Sequence, residues 1–196
     1  MPFLLRVELP DVPGSLGRVA TTIGESGGDI EAIEIVEKRD GMAVDDVLLE
    51  MHDGAMPDSI VSACTGLDGV KVLWISRYAA GGNVFLDLEA VEDLTGHGEG
   101  AVDRLVDLMP VVFRADWGAR VHRSGVLRAT ETAPDSLGWV DLPGDRMLER
   151  DGDLIAGCPL GPDEVVLIGR HGGPAFLASE LARLEHLANL ARTIAT

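Results

Sequence analysis

From Phe3 to Leu9 the residues Phe3, Leu5, Val7 and Leu9 alternate with Leu4, Arg6 and Glu8. A period of two predicts a strand with one buried face. Pro10-Asp11-Val12-Pro13-Gly14 breaks it with a turn. Leu16, Val19, Ala20 and Ile23 then recur at helical spacing, so an amphipathic helix starts near Ser15 and stops at Gly27-Gly28. Ile30 to Arg39 and Ala43 to Met51 read as two strands joined by an Asp40-Gly41 hairpin turn. Pro57 suits the first turn of a second helix, with Ile60, Val61 and Cys64 inward and Gly66 near its end. A last strand runs from Val70 to Ile75. The order β-α-β-β-α-β predicts an antiparallel sheet backed by two helices, a ferredoxin-like α+β unit.

Ala79 to Asn83 is small and Gly-rich, which marks a domain boundary. Beyond it the pattern weakens. No element is assigned to the acidic stretch from Phe85 to Leu94, and Thr95 to Gly100 reads as a loop. A helix with Val102, Leu105, Val106 and Met109 inward follows. Val111 to Trp117, Gly125 to Thr130 and Glu164 to Gly169 are strand candidates, while Glu131 to Pro162 reads as loops plus one short strand. The chain ends in a long helix, about Ala175 to Ile194. Its broad apolar stripe, including Leu184 and Leu187, predicts a helix–helix contact between two subunits. The domains expected are residues 1–79, a linker over 80–98, and residues 99–196.

Charge narrows the partners. The 196 residues carry 16 Lys+Arg against 33 Asp+Glu, a net charge of -17, and 46% are hydrophobic. Residues 1–80 hold 14 acids and 6 bases, and the remainder 19 and 10, so neither part offers a basic surface. Nucleic acid and anionic membranes are therefore not expected partners. No apolar run reaches the ~18 residues of a membrane helix, and the first residues do not form a signal peptide. Cys64 and Cys158 lie far apart, which fits two buried thiols in a cytoplasmic protein.

The segment Asp11-Val12-Pro13-Gly14-Ser15-Leu16, set between a strand and a helix and followed by Gly27-Gly28-Asp29-Ile30, resembles the ACT domain family over about residues 3–77. Leu67-Asp68-Gly69-Val70 before the last strand fits the same family. The second half resembles a degenerate GAF-like domain, an antiparallel sheet closed by a long C-terminal helix. The likeness rests on Pro110 to Trp117, Val165 to Arg170, and the helix carrying Glu180.

The ACT resemblance implies a regulatory protein that binds an amino acid at an interface between two copies. Its ligand residues would be Asp11, Val12, Gly14, Ser15, Leu16, Asp29 and Ile30. Gly14 lets a ligand approach the main chain, and unpaired amides opening a helix favour a carboxylate. Asp11 and Asp29 would hold an ammonium. Relatives often carry asparagine at those two places, so two aspartates shift the balance towards the ammonium end. The alternative is a dimerisation or protein-interaction module with no small ligand, in which Asp11 shapes its turn and Asp29 begins a strand.

Enzyme motifs are missing from the sequence: no G-x-S-x-G, H-E-x-x-H or P-loop lysine occurs. The five histidines show no metal spacing. Asp45, Asp46 and Glu50 crowd one strand, but alternation divides them between its faces, and they read as a solvated acidic face. No catalytic residue, metal or cofactor is expected. The expectation is a homodimer acting on an unidentified protein partner.

Overall fold

The computed structural model describes every residue except 1, 53, 78–81 and 143–145, and the side chains of 82–85 are also left undescribed. The chain forms two compact units, residues 1–82 and 83–196. Among the described residues no helix is long and apolar enough to cross a membrane.

The first unit comprises β1 (Pro2–Pro10), α1 (Ser15–Glu25), β2 (Gly28–Arg39), β3 (Met42–Met51), α2 (Pro57–Thr65) and β4 (Lys71–Arg77). The strands form one antiparallel sheet in the order β2-β3-β1-β4, so β2 is an outer strand. This is the ferredoxin-like order that the periodicity predicts. Phe3, Leu5, Val7 and Leu9 meet Val19, Ile23, Ile60 and Cys64 in one core. Asp40 and Gly41 take φ of 52° and 77°, the left-handed pair a tight hairpin turn requires. Gly28 serves close packing, because a Cβ there would lie 2.7 Å from Ile23 and 2.9 Å from Ile60.

One expectation fails here. Asp45 and Asp46 are 2% and 1% exposed, not a solvated acidic face. Asp46 receives a two-pronged contact from Arg6, at 2.7 and 2.9 Å, across the register pair Arg6↔Asp46. Charge pairing inside the sheet, which period-two counting ignores, brings Arg6 and Asp46 in, while Asp45 lies on the apolar face of Val47 and Leu49.

The second unit runs α3 (Gly82–His97), a 3₁₀ turn over Gly98–Gly100, α4 (Ala101–Val112), β5 (Trp117–His122), β6 (Gly125–Ala129), β7 (Met147–Arg150), β8 (Asp153–Gly161), β9 (Glu164–His171) and α5 (Ala178–Ile194). Its antiparallel sheet has the order β6-β5-β9-β8-β7. The stretch expected as a linker and loop is helical from Gly82 through His97, residues 80 and 81 lying outside the described residues. Arg104 and Arg183 fasten α3 through paired contacts to Asp93 and Asp87, at 2.6–2.9 Å. Val111 and Val112 end α4 instead of starting a strand, since the stripe of Val102, Leu105, Val106 and Met109 continues to Val112 at helical spacing. The strand begins only at Trp117.

Both faces of this second sheet are covered. Ala156, Cys158, Val166 and Ile168 pack with Leu105, Met109, Leu184 and Leu187 on the helix side. Trp117, Val121, Ile155 and Leu167 pack with Val140, Leu137 and Trp139 on the other. The α5 stripe is therefore filled within its own unit: Leu184 is fully buried and Leu187 is 6% exposed. That corrects the expected subunit contact through this helix.

Candidate functional site

The turn between β1 and α1 exposes Asp11, Val12, Pro13 and Gly14, while Ser15 is buried and Leu16 half-buried. Gly14 is the residue before α1 and holds φ 90°, a left-handed conformation that a side chain rarely adopts. No side chain caps the helix. Ser15 N–H donates to Val12 O at 3.2 Å, so of the amides expected to favour a carboxylate that of Ser15 is already engaged. The space around Gly14 is open, with nothing within 4 Å of a built Cβ.

Lys38, near the end of β2, donates to Asp11 Oδ1 at 2.8 Å. Lys38 pairs with Ala43 and Ile35 with Asp45, which puts Lys38 and Asp45 on the face of the sheet that carries the helices. Burial pushes the Asp45 carboxyl above the usual carboxylate range; Lys38 pulls it down, and Asp11 and Asp46 push it up. Among the described residues three buried side-chain atoms lack any partner: Ser15 Oγ, Glu37 Oε2 and Asp45 Oδ1. All three belong to the first unit. A buried carboxylate oxygen without a donor is unfavourable.

Lys38 was not singled out from sequence, and Asp45 was read only as part of a solvated acidic face. A signal for Asp45 existed. Strand alternation separates it from Asp46 and Glu50, and the face it takes is the one carrying Val47 and Leu49.

Asp29 and Ile30 do not join this cluster within one chain. Asp29 pairs with Glu50 and Ile30 with Leu49, beside the start of β1. Asp11 follows the end of β1, beside Gly41. The two halves of the expected ligand set thus sit at opposite ends of the same sheet.

Among the described residues of the second unit no buried side-chain nitrogen or oxygen lacks a partner. Arg170, 3% exposed, donates to Phe113 O, Arg114 O, Pro174 O and Glu180. Glu180 in turn accepts the Leu177 amide at 2.8 Å, closing the first turn of α5. Both cysteines are free and buried, and burial pushes each thiol up. Among the described residues no group of three or more His, Cys, Asp or Glu is placed to hold a metal ion.

Comparison with known proteins agrees with this geometry at the N-terminal end. Residues 3–63 match the family model of the ACT domain, and the chain carries an ACT domain there. Nearly the whole chain, 95% over 191 residues, is 27% identical to NAD-dependent malic enzyme 1 of Bacillus subtilis (strain 168). It spans 38% of that enzyme's length. Among solved structures, a formyltetrahydrofolate deformylase from Pseudomonas putida KT2440 aligns with a TM-score of 0.32 and 12% identity, over 42% of this chain and 29% of the other. An unknown protein from Galdieria sulphuraria aligns with a TM-score of 0.35 and 11% identity, over 86% of this chain and 78% of the other.

Proposed function

We propose that the first unit is a non-catalytic sensor, and that two copies together bind a small zwitterion of the amino-acid type. The observation that carries this reading is the buried, unpartnered Asp45 Oδ1 and Ser15 Oγ in the unit whose α1 start is ringed by Asp11 and Lys38. In this reading the ligand's ammonium settles on Asp45 and Asp11, while its carboxylate takes Lys38 and the first free amides of α1. Lys38 offsets the repulsion that two aspartates alone would exert on a carboxylate.

The second copy supplies Asp29 and Ile30. β2 is an outer strand with Ile35 51% exposed. A second β2 laid antiparallel about a two-fold axis beside Glu34 sets Asp29 opposite Arg39, Ile30 opposite Lys38 and Ile33 opposite Ile35. Each of these pairs matches in sheet face, as read from the pairing of β2 with β3. The cost is Glu34 facing its own copy. Such a dimer brings Ile30 of one copy beside the Lys38–Asp11 pair of the other, while Asp29 lies next to it on the sheet's other face, opposite Arg39.

Kinship with a segment of a longer protein named as an enzyme supports a role beside catalytic machinery, with a protein partner as the output. The second unit, which we read as GAF-like and without a standard pocket, and a cytoplasmic setting complete the proposal. The test is a thermal-shift and calorimetric screen of the common amino acids. A ligand at about 100 times its Kd should add ~2.7 kcal/mol to stability. Silence across the set would leave only a dimerisation module.

A further inference from the structure

A cavity of about 240 Å³ opens at one end of the second sheet, where β7 ends, β8 begins and β9 ends. Its floor is apolar, made by Pro134, Leu137 and Ile155. Its polar wall is a built chain of hydrogen bonds. Asp153, 8% exposed, accepts the Trp117 indole N–H on Oδ2 at 2.7 Å and contacts His171 Nδ1 through Oδ1 at 2.9 Å. Trp117 is itself held flat against Gly169, where any Cβ would collide with the indole. The His171 backbone N–H donates to Asp116 Oδ2 at 2.7 Å, which fixes the far side of the histidine.

These contacts decide which groups a ligand can use. Both Asp153 oxygens are occupied, so Asp153 is not a ligand group; an ionised Asp153 only accepts, which favours a proton on the His171 Nδ1 that faces it, and Nε2 is left outward. Arg150, at the end of β7, lines the same cavity, with only a loose 3.6 Å contact from its Nε to Asp151. Its terminal nitrogens remain for a planar, two-pronged partner. Ser136 adds a hydroxyl. A cavity below the usual ~300–1,000 Å³ of drug-sized pockets suits a ligand of a few carbons.

We propose that this cavity is a second ligand site, separate from the β1–α1 turn, that binds a small carboxylate with a short branched apolar body. The carboxylate meets Arg150 and, with the His171 ring doubly protonated so that both nitrogens donate, the Nε2–H of His171; the body lies on Pro134, Leu137 and Ile155.

The test uses the Trp117 indole N–H as reporter, assigned by NMR against Trp74→Phe and Trp139→Phe variants. The full chain is titrated with 3-methylbutanoate, 3-methylbutanamide and 3-methylbutylamine. The expected result is a saturable shift of that resonance with the acid and none with the amide or amine. Arg150→Gln and His171→Gln, both exposed positions, should each weaken the acid about tenfold, and Asp11→Asn should leave it unchanged. Three outcomes would overturn the site: no saturable shift by about 10 mM acid, an equal response to the amide, or wild-type affinity in both cavity variants. A response abolished by Asp11→Asn would assign the binding to the first unit instead.

Discussion

The two units treat buried polar groups differently. In the second, Arg170 has its donors placed on three carbonyls and Glu180, and Glu180 also caps α5. In the first, Ser15 and Asp45 are buried with an oxygen each left without a donor or acceptor. Among the described residues of the second unit no such atom remains. The contrast places the unsatisfied buried oxygens in the unit that carries the ACT domain, and the sensing role proposed for that unit rests on them.

The comparison can be broken most forcefully at α5. Leu184→Glu with Leu187→Glu puts two charges into the core against α4 and β8. The expected cost is above ~4 kcal/mol, seen as early urea unfolding of the second unit. A stable fold that merely changes mass in light scattering would instead make α5 a subunit contact. Next in size is Glu180→Ala, which leaves Arg170 buried with its anionic partner gone. It should cost ~3–5 kcal/mol in chemical denaturation. In the first unit Gly28→Ala forces a Cβ against Ile23 and Ile60 and should cost ~1–3 kcal/mol.

Asp45→Asn is expected to act in the opposite direction. Because burial raises the Asp45 carboxyl in the folded state, folded protein binds that proton more readily than the unfolded chain does. Stability from this group therefore falls as pH rises from the ordinary carboxylate range through the raised value. Asp45→Asn should stabilise the ligand-free protein near pH 7 and lose that advantage near pH 4, measured by paired denaturation curves. The smallest effect concerns Cys64 and Cys158, whose buried, raised thiols should react with alkylating reagent only as fast as the fold opens.

How far the sequence revealed each unit follows from what covers each sheet. In the first unit β1 alternates Phe3, Leu5, Val7 and Leu9 with Leu4, Arg6 and Glu8, and the turns carry Asp40-Gly41 and Gly27-Gly28; the expected single buried face is corrected, since Leu4 and Arg6 are buried as well. In the second the sheet is packed on both faces. β9 becomes an unbroken apolar run, and β8, with Gly157, Pro159 and Gly161, passes for a loop. Val111 and Val112 look like strand residues because β-branching favours strands, yet packing on the sheet extends α4 through them. The β1–α1 turn was legible in Asp11 to Leu16. Lys38 was not, and Asp45 was misread as solvated, because their placement comes from register across β2 and β3. The separation of Asp29 from Asp11 likewise depends on which end of the sheet each strand starts from.

The central claim is that Asp45 is part of a ligand site and not only a strained core residue. It is tested most directly by calorimetric titration of amino acids into wild type and Asp45→Asn. The account predicts that at least one amino acid binds wild type and that Asp45→Asn, though folded and more stable, weakens it at least tenfold, the loss of one charge-assisted contact. Equal affinity in the two proteins would contradict it.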